Sequence, residues 1–121
     1  MDFADVTSIL SNYSNTLLKG KIAHEEIAPY RAKYPDLKPL SPKTAAVLVL
    51  LYPIKKETHC VLIERSTYQG QHSGQISFPG GKKEKNDTNI FETAIREAWE
   101  EININKKDIN IVGKLSKLYI P

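Results

Sequence analysis

The sequence predicts a mixed α/β sandwich, and three observations carry that prediction. Two apolar runs of strand length, residues 44–52 (TAAVLVLLY) and 59–65 (HCVLIER), flank a polar turn at 55–58. A strongly amphipathic stretch at helical spacing, residues 89–102, follows them. Shorter apolar segments at 75–78, 109–112 and 114–120, the last two separated at Gly113, read as further strands. Strands on both sides of a helix imply a layered α/β domain with a mixed sheet.

The elements before that domain are of another kind. Residues 3–18 place Phe3, Val6, Ile9, Leu10, Tyr13 and Leu17 at helical spacing, which predicts an amphipathic helix ending near Gly20. Its apolar stripe needs a cover, either the main domain or a second copy of the chain in a homodimer. Residues 21–43 hold Pro29, Pro35, Pro39 and Pro42, too many for a long regular element. A short helical turn near Glu25 and Ile27 is expected, and the rest reads as a connector. The expected organisation is therefore a helical extension and proline-rich connector over 1–40 and the main domain over 41–121. The chain stops at Leu118-Tyr119-Ile120-Pro121, inside an apolar segment, so the domain is expected to be incomplete at its C-terminus.

Composition removes several classes of function. The longest apolar run, residues 45–52, stops at Pro53, far short of the ~20 residues that span a bilayer. Met1-Asp2-Phe3-Ala4-Asp5 lacks the basic start and apolar core of a secretory signal. Cys60 is the single cysteine, so no internal disulfide forms and the cytoplasm is the expected compartment. Cys60 itself is expected to pack as a small hydrophobe in a strand. The net charge of +3 comes from scattered basic residues, which gives nucleic-acid binding little support and suits an anionic small molecule.

The helix at 89–102 carries the chemistry. Asp87 or Asn89 can cap it, and Asn89 has Glu92 three residues on, close to a capping box. Phe91, Ala94, Ile95, Ala98 and Ile102 form one apolar stripe, and Trp99 flanks it and is expected to pack. Glu97 and Glu101 stand one turn apart, within ~40° around the axis, and Glu100 is close enough to join them. Like charges so spaced destabilise a helix by ~0.2–0.5 kcal/mol per pair, and the macrodipole opposes them near the C-terminus. A divalent cation reverses both penalties, since oxygen-rich carboxylate clusters suit Mg²⁺. Taken alone, the same acids read as a solvated helix face. Arg96 has Glu92 and Glu100 at i−4 and i+4 and can hold either. Ahead of the helix, Phe78-Pro79-Gly80-Gly81 lets backbone approach a ligand closely, with Lys82, Lys83 and Lys85 near the expected place of a phosphate.

These residues resemble the Nudix box, whose pattern is Gly, five residues, Glu, seven residues, then Arg-Glu-hydrophobic-x-Glu-Glu-x-Gly-hydrophobic. Here Gly81 is followed by Asp87 and, after eight residues, by Arg96-Glu97-Ala98-Trp99-Glu100-Glu101-Ile102-Asn103-Ile104. Asp87 replaces Glu, one residue is added before Arg96, and Asn103 replaces the closing Gly. Asn is the next-best residue for a left-handed helix stop. Asp87 with the extra residue is similar to the coenzyme A pyrophosphatase branch of the family. So is the segment before the box, where Leu62-Ile63-Glu64-Arg65-Ser66, Gly70, Gly74 and Phe78-Pro79-Gly80-Gly81 stand in that branch's register. Gly70 replaces a second Arg. The motifs cover residues 62–104.

The resemblance implies a Nudix-type α/β/α sandwich that hydrolyses a pyrophosphate linkage in coenzyme A or its derivatives. The products would be adenosine 3',5'-bisphosphate and 4'-phosphopantetheine. It implies Mg²⁺ or Mn²⁺ held by Glu97, Glu100, Glu101 and a Gly81 backbone carbonyl, with Arg96 in the catalytic set. Arg65, Ser66, His72, Gln75, Gly80 and Gly81 are the implied substrate contacts, although His72 by itself is an ordinary loop histidine. Two other readings stay open: a Nudix hydrolase for another nucleoside diphosphate such as ADP-ribose, favoured by Gly70, and a non-catalytic binding or assembly domain, favoured by the expected truncation and the amphipathic N-terminal helix.

Overall fold

The computed structural model describes residues 1–13, 18–29, 43–66, 74–118 and 120. The chain divides into two compact units, Met1–Val6 with Lys43–Asn110 and Thr7–Pro42 with Ile111–Pro121.

In the first unit each apolar run becomes two strands because each changes partner midway. Residues 44–52 form β1 (Ala45–Val47) and β2 (Leu51–Ile54), and residues 59–65 contribute to β3 (Glu57–Cys60) and β4 (Ile63–Glu64). β5 (Ile76–Ser77) and β6 (Gly80–Lys82) follow. The pairs are β1 with β6, β2 with β3 and β4 with β5, all antiparallel. The mixed sheet expected from the order of elements is not among the described residues, where the strands form three separate two-stranded ladders.

The β2–β3 hairpin closes through Lys55 and Lys56, whose φ angles are 47° and 73°. Two left-handed residues in a two-residue loop make a type I′ turn, whose twist matches that of the strands. Pro53 faces Thr58 at a position where the ladder forms no hydrogen bonds, so its missing N–H leaves no gap between the strands. The Thr58 N–H points to the outer edge, where it meets the Met1 carbonyl at 3.1 Å, and Phe3 N–H reaches the Lys56 carbonyl at 2.8 Å. The first residues of the chain thus cover part of that edge. Cys60, expected to be packed, is exposed on β3.

The amphipathic stretch forms α3 (Ile90–Ile102). Its Asn89 cap accepts the Glu92 N–H at 3.0 Å, and Glu92 answers on Thr88 rather than Asn89, with its carboxylate taking the Thr88 N–H and hydroxyl. Asn103 ends the helix in the left-handed conformation, φ 55°, and its N–H returns to the Trp99 carbonyl. α3 lies on β1 and β6. The buried apolar side chains of its stripe are Ala94 and Ala98, which are small enough to let helix and ladder approach. Trp99 is 55% exposed, beside Ile95, Asn105 and Lys106, so the expectation that it packs is corrected. The four-residue spacing that buries Ala94 and Ala98 turns position 99 outward.

The expected strands at 109–112 and 114–120 are also corrected. A short 3₁₀ turn at Lys106–Asp108 precedes them, and residues 109–118 carry no helix or strand. Apolar alternation makes a strand only where a neighbouring edge accepts its backbone groups.

The second unit contains most of α1 (Phe3–Tyr13) and α2 (Lys21–Ile27). Both match expected helical segments, although residues 14–17 and the connector 30–42 lie outside the described residues. On α1, Ile9, Leu10 and Tyr13 are exposed. No helix among the described residues is long and apolar enough to cross a membrane.

Candidate active site

The two glycines of β6 differ in what they face. Leu48 N–H bonds the Pro79 carbonyl and Lys83 N–H bonds the Thr44 carbonyl, so the hydrogen-bonded pairs of this ladder are Pro79–Leu48, Gly81–Ala46 and Lys83–Thr44. Gly81 therefore spends its backbone groups on β1. Gly80, in a non-bonded pair with Val47, turns its N–H and carbonyl away from β1. Its N–H meets Glu101 Oε2 at 2.8 Å. The backbone group of the bend that meets a helix acid directly is thus the Gly80 N–H.

Neither glycine can carry a side chain without consequence. Gly80 has φ 157°, and a Cβ there would run into the Ala46 carbonyl and lie 2.6 Å from Val47 Cα. At Gly81 a Cβ would fall 2.5 Å from Glu97 Cδ and Oε1. The Glu97 carboxylate lies where that side chain would be, flat against the bend.

Arg96 organises the rest. Its Nε and Nη2 donate to the two oxygens of Asp87 at 3.1 and 3.0 Å, and Nη2 also donates to the Lys82 carbonyl at 3.0 Å. Nη1 donates to Glu97 Oε1 at 3.0 Å and to both Glu100 oxygens at 3.2 and 3.3 Å. A guanidinium has five N–H groups, and here all five are engaged. Arg96 thus acts as a clamp on carboxylates, with no donor left for a substrate oxygen. Glu92, the other partner expected for it, bonds Thr88 instead and pairs with Lys106 at 3.7 Å.

Asp87 is buried, and the Arg96 fork, Glu84 N–H and the Thr93 hydroxyl hold its carboxyl far below the usual carboxylate range. The same contact with Asp87, followed by those with Glu100 and Glu97, pushes the Arg96 guanidinium above its ordinary value. Lys83 Nζ reaches the Asp87 carbonyl at 2.6 Å, so this lysine steadies the loop. Five carboxylates, of Glu84, Asp87, Glu97, Glu100 and Glu101, meet the Arg96 cation or the glycine bend, Glu84 at the longest distance of 3.8 Å. Excess negative charge in hard oxygen donors suits a divalent cation in kind. Among the described residues, no three Asp, Glu, His or Cys side chains gather into a ready cage for one ion. Glu97 and Glu101 face the glycines, and Glu100 lies on Arg96.

Of the candidate substrate residues outside the glycine bend, Arg65, Ser66 and Gln75 adjoin β4 and β5. Arg65 N–H bonds the Gln75 carbonyl at 3.0 Å, and Gly74 N–H bonds the Arg65 carbonyl at 3.1 Å, which joins Arg65 and Gln75 at the base of one loop. Ser66 is exposed at its start. His72 and Gly70 lie outside the described residues.

A family model described as the NUDIX domain matches residues 42–121. The chain belongs to the Nudix family. An "Uncharacterized Nudix hydrolase NudL" of Yersinia enterocolitica is 34% identical to it over 101 residues, 82% of this chain and 51% of the relative. A protein of the same description from Pectobacterium atrosepticum is 40% identical over 85 residues, 69% of this chain and 44% of the relative. The chain spans about half the length, or less, of these curated relatives. The matched region of the Nudix model holds the glycine bend, Asp87 and all of α3.

Sequence reasoning passed over Thr93 and the second half of the Asp87 clamp. The signal for Thr93 lay in its spacing: Thr93, Glu97 and Glu101 follow one another at four-residue intervals, so the threonine continues the line of the acids into the buried part of the helix.

Proposed function

We propose that this Nudix chain serves the hydrolysis of a pyrophosphate linkage in coenzyme A or its derivatives, giving adenosine 3',5'-bisphosphate and 4'-phosphopantetheine. The observation that carries the reading is the seating of the Glu97 carboxylate on Gly81 and of Glu101 on the Gly80 N–H. Acids from successive turns of one helix meet a backbone bend where no side chain intervenes. The residues fit Mg²⁺ or Mn²⁺ by the chemistry of their donors: Glu97, Glu100 and Glu101 would hold it, with a glycine carbonyl of the bend. When bound, such an ion polarises the pyrophosphate and lowers the pKa of a water that attacks phosphorus.

The chain's own groups do the positioning. Arg96 draws Glu97 and Glu100 together from one Nη1, with Glu97 half-buried and Glu100 exposed. The Gly80 N–H orients Glu101. Arg65, whose fork suits phosphate oxygens, would contact the substrate with Ser66, His72 and Gln75. The register of Leu62 to Gly81 with the coenzyme A pyrophosphatase signature favours that substrate. Gly70, standing where the signature has Arg, favours another nucleoside diphosphate such as ADP-ribose. Turnover of coenzyme A, dephospho-coenzyme A and ADP-ribose with Mg²⁺ or Mn²⁺, compared between the protein and its Glu101→Gln variant, tests the proposal. Preference for coenzyme A, abolished by Glu101→Gln, is expected. Preference for ADP-ribose moves the substrate, and turnover indifferent to Glu101→Gln removes the site. Calorimetry with Mg²⁺ tests the remaining reading, since metal binding insensitive to Glu97→Gln leaves a binding or assembly domain.

A further inference from the structure

The geometry points to Thr93 as a positioning residue for the helix acids, an inference that rests on the proposed hydrolase site. Thr93 is fully buried, and its hydroxyl donates to Asp87 Oδ2 at 3.0 Å. That oxygen also accepts Arg96 Nη2 at 3.0 Å and the Glu84 N–H at 2.9 Å, while Oδ1 takes Arg96 Nε at 3.1 Å. Glu84 N–H and Thr93 Oγ1 approach from different parts of the chain, one from the loop and one from the helix. Together they orient the carboxylate so that both of its oxygens meet the side of the guanidinium formed by Nε and Nη2. The opposite nitrogen, Nη1, then faces Glu97 and Glu100.

The relay therefore runs from the Thr93 hydroxyl through Asp87 and Arg96 to Glu97, which lies against the glycine bend, and to Glu100. Aspartate is one methylene shorter than the glutamate of the usual box and has fewer rotatable bonds. The Thr93 hydroxyl adds a helix-side donor to those from Glu84 and Arg96. A methyl in place of the hydroxyl fills the same volume and leaves Asp87 Oδ2 without its helix-side donor, which frees the Arg96 fork to rock. Outer partners of this kind set ligand orientation without touching the ligand.

The test uses the full chain as wild type, Thr93→Val, Thr93→Ser, Thr93→Ala and Glu101→Gln, below each melting midpoint. Two quantities are measured: hydrogen exchange of the Arg96 Nε–H by ¹⁵N NMR, and Mn²⁺ affinity by electron paramagnetic resonance. In Thr93→Val the Nε–H is expected to exchange about tenfold faster. Mn²⁺ is expected to bind about tenfold more weakly. Thr93→Ser is expected to restore both. A lowered melting midpoint with unchanged Nε–H exchange overturns the relay and leaves Thr93 a packing residue. Unchanged Mn²⁺ affinity in Thr93→Val, with Glu101→Gln still weakening it, overturns the link to the acids alone. If Glu101→Gln leaves Mn²⁺ binding untouched, the hydrolase site falls while the exchange measurement still decides the Thr93–Asp87–Arg96 contact. Should Thr93→Val not fold, the comparison of Thr93→Ala with Thr93→Ser decides by the same readings.

Discussion

The glycine–helix junction and the β2–β3 hairpin both need unusual backbone, and they obtain it in opposite ways. At the junction, Gly80 and Gly81 are demanded by what surrounds them, a backbone carbonyl in one case and a carboxylate in the other. In the hairpin, the left-handed positions are filled by Lys55 and Lys56, residues with no advantage there, and Tyr52 and Ile54 stay exposed. The hairpin holds by main-chain pairing and a tilted Tyr52–His59 ring contact across the strands. The junction holds by side chains that meet backbone, so nearly every identity matters.

Substituting each glycine in turn breaks this comparison most sharply. Gly80→Ala drives a methyl into β1 backbone and is expected to destabilise the protein on the order of 3 kcal/mol, read by denaturant unfolding. Gly81→Ala meets only the far end of the Glu97 side chain rather than backbone, so stability should change little while turnover falls about 100-fold through the displaced carboxylate. Equal loss of stability in both variants would show that Glu97 is as rigid as the β1 backbone.

Arg96→Lys comes next. A single ammonium cannot span Asp87, Glu97 and Glu100 at once, and turnover should fall about 10- to 100-fold at unchanged fold by circular dichroism.

The acid limb of stability sharpens the picture further. Asp87 titrates lower in the folded chain than in the unfolded one, so its contribution is complete above the unfolded value of about 4 and is lost as pH falls toward the folded value. Glu92 is lowered as well, by the Thr88 hydroxyl and N–H and by Lys106, and acts in the same direction. Melting temperature should therefore drop with acidification below about pH 4 in the wild type. Asp87→Asn should flatten that slope, and an unaltered slope would assign the acid limb to other groups.

Smaller effects belong to the helix cap and the hairpin. Asn89→Ala removes the acceptor for Glu92 N–H and is expected to lower stability by about 1 kcal/mol. The double change Lys55→Asn with Lys56→Gly, which suits a type I′ turn, should raise it by about 1 kcal/mol. A hairpin that gained nothing would place the strain elsewhere.

The sequence by itself determined α3, its Asn103 stop and the shared face of Glu97 and Glu101, and narrowed the N-cap to Asp87 or Asn89, because these follow from relations three or four residues apart along one helix. It also determined the turn between β2 and β3 and the family to which residues 42–121 belong. Tertiary structure decided that the apolar runs change partner midway, that residues 109–118 form no strand and that Cys60 and Trp99 face outward. It decided too that the Gly80 N–H meets Glu101, and that Asp87, itself bonded by Thr93, clamps Arg96. Each of those outcomes depends on which backbone edge or side chain is brought opposite, as in Ala46 with Gly81, Gly80 with Glu101 and Asp87 with Arg96. Periodicity carries no information about a partner so far along the chain, and hydrogen bonding and steric exclusion act only once the two are in contact.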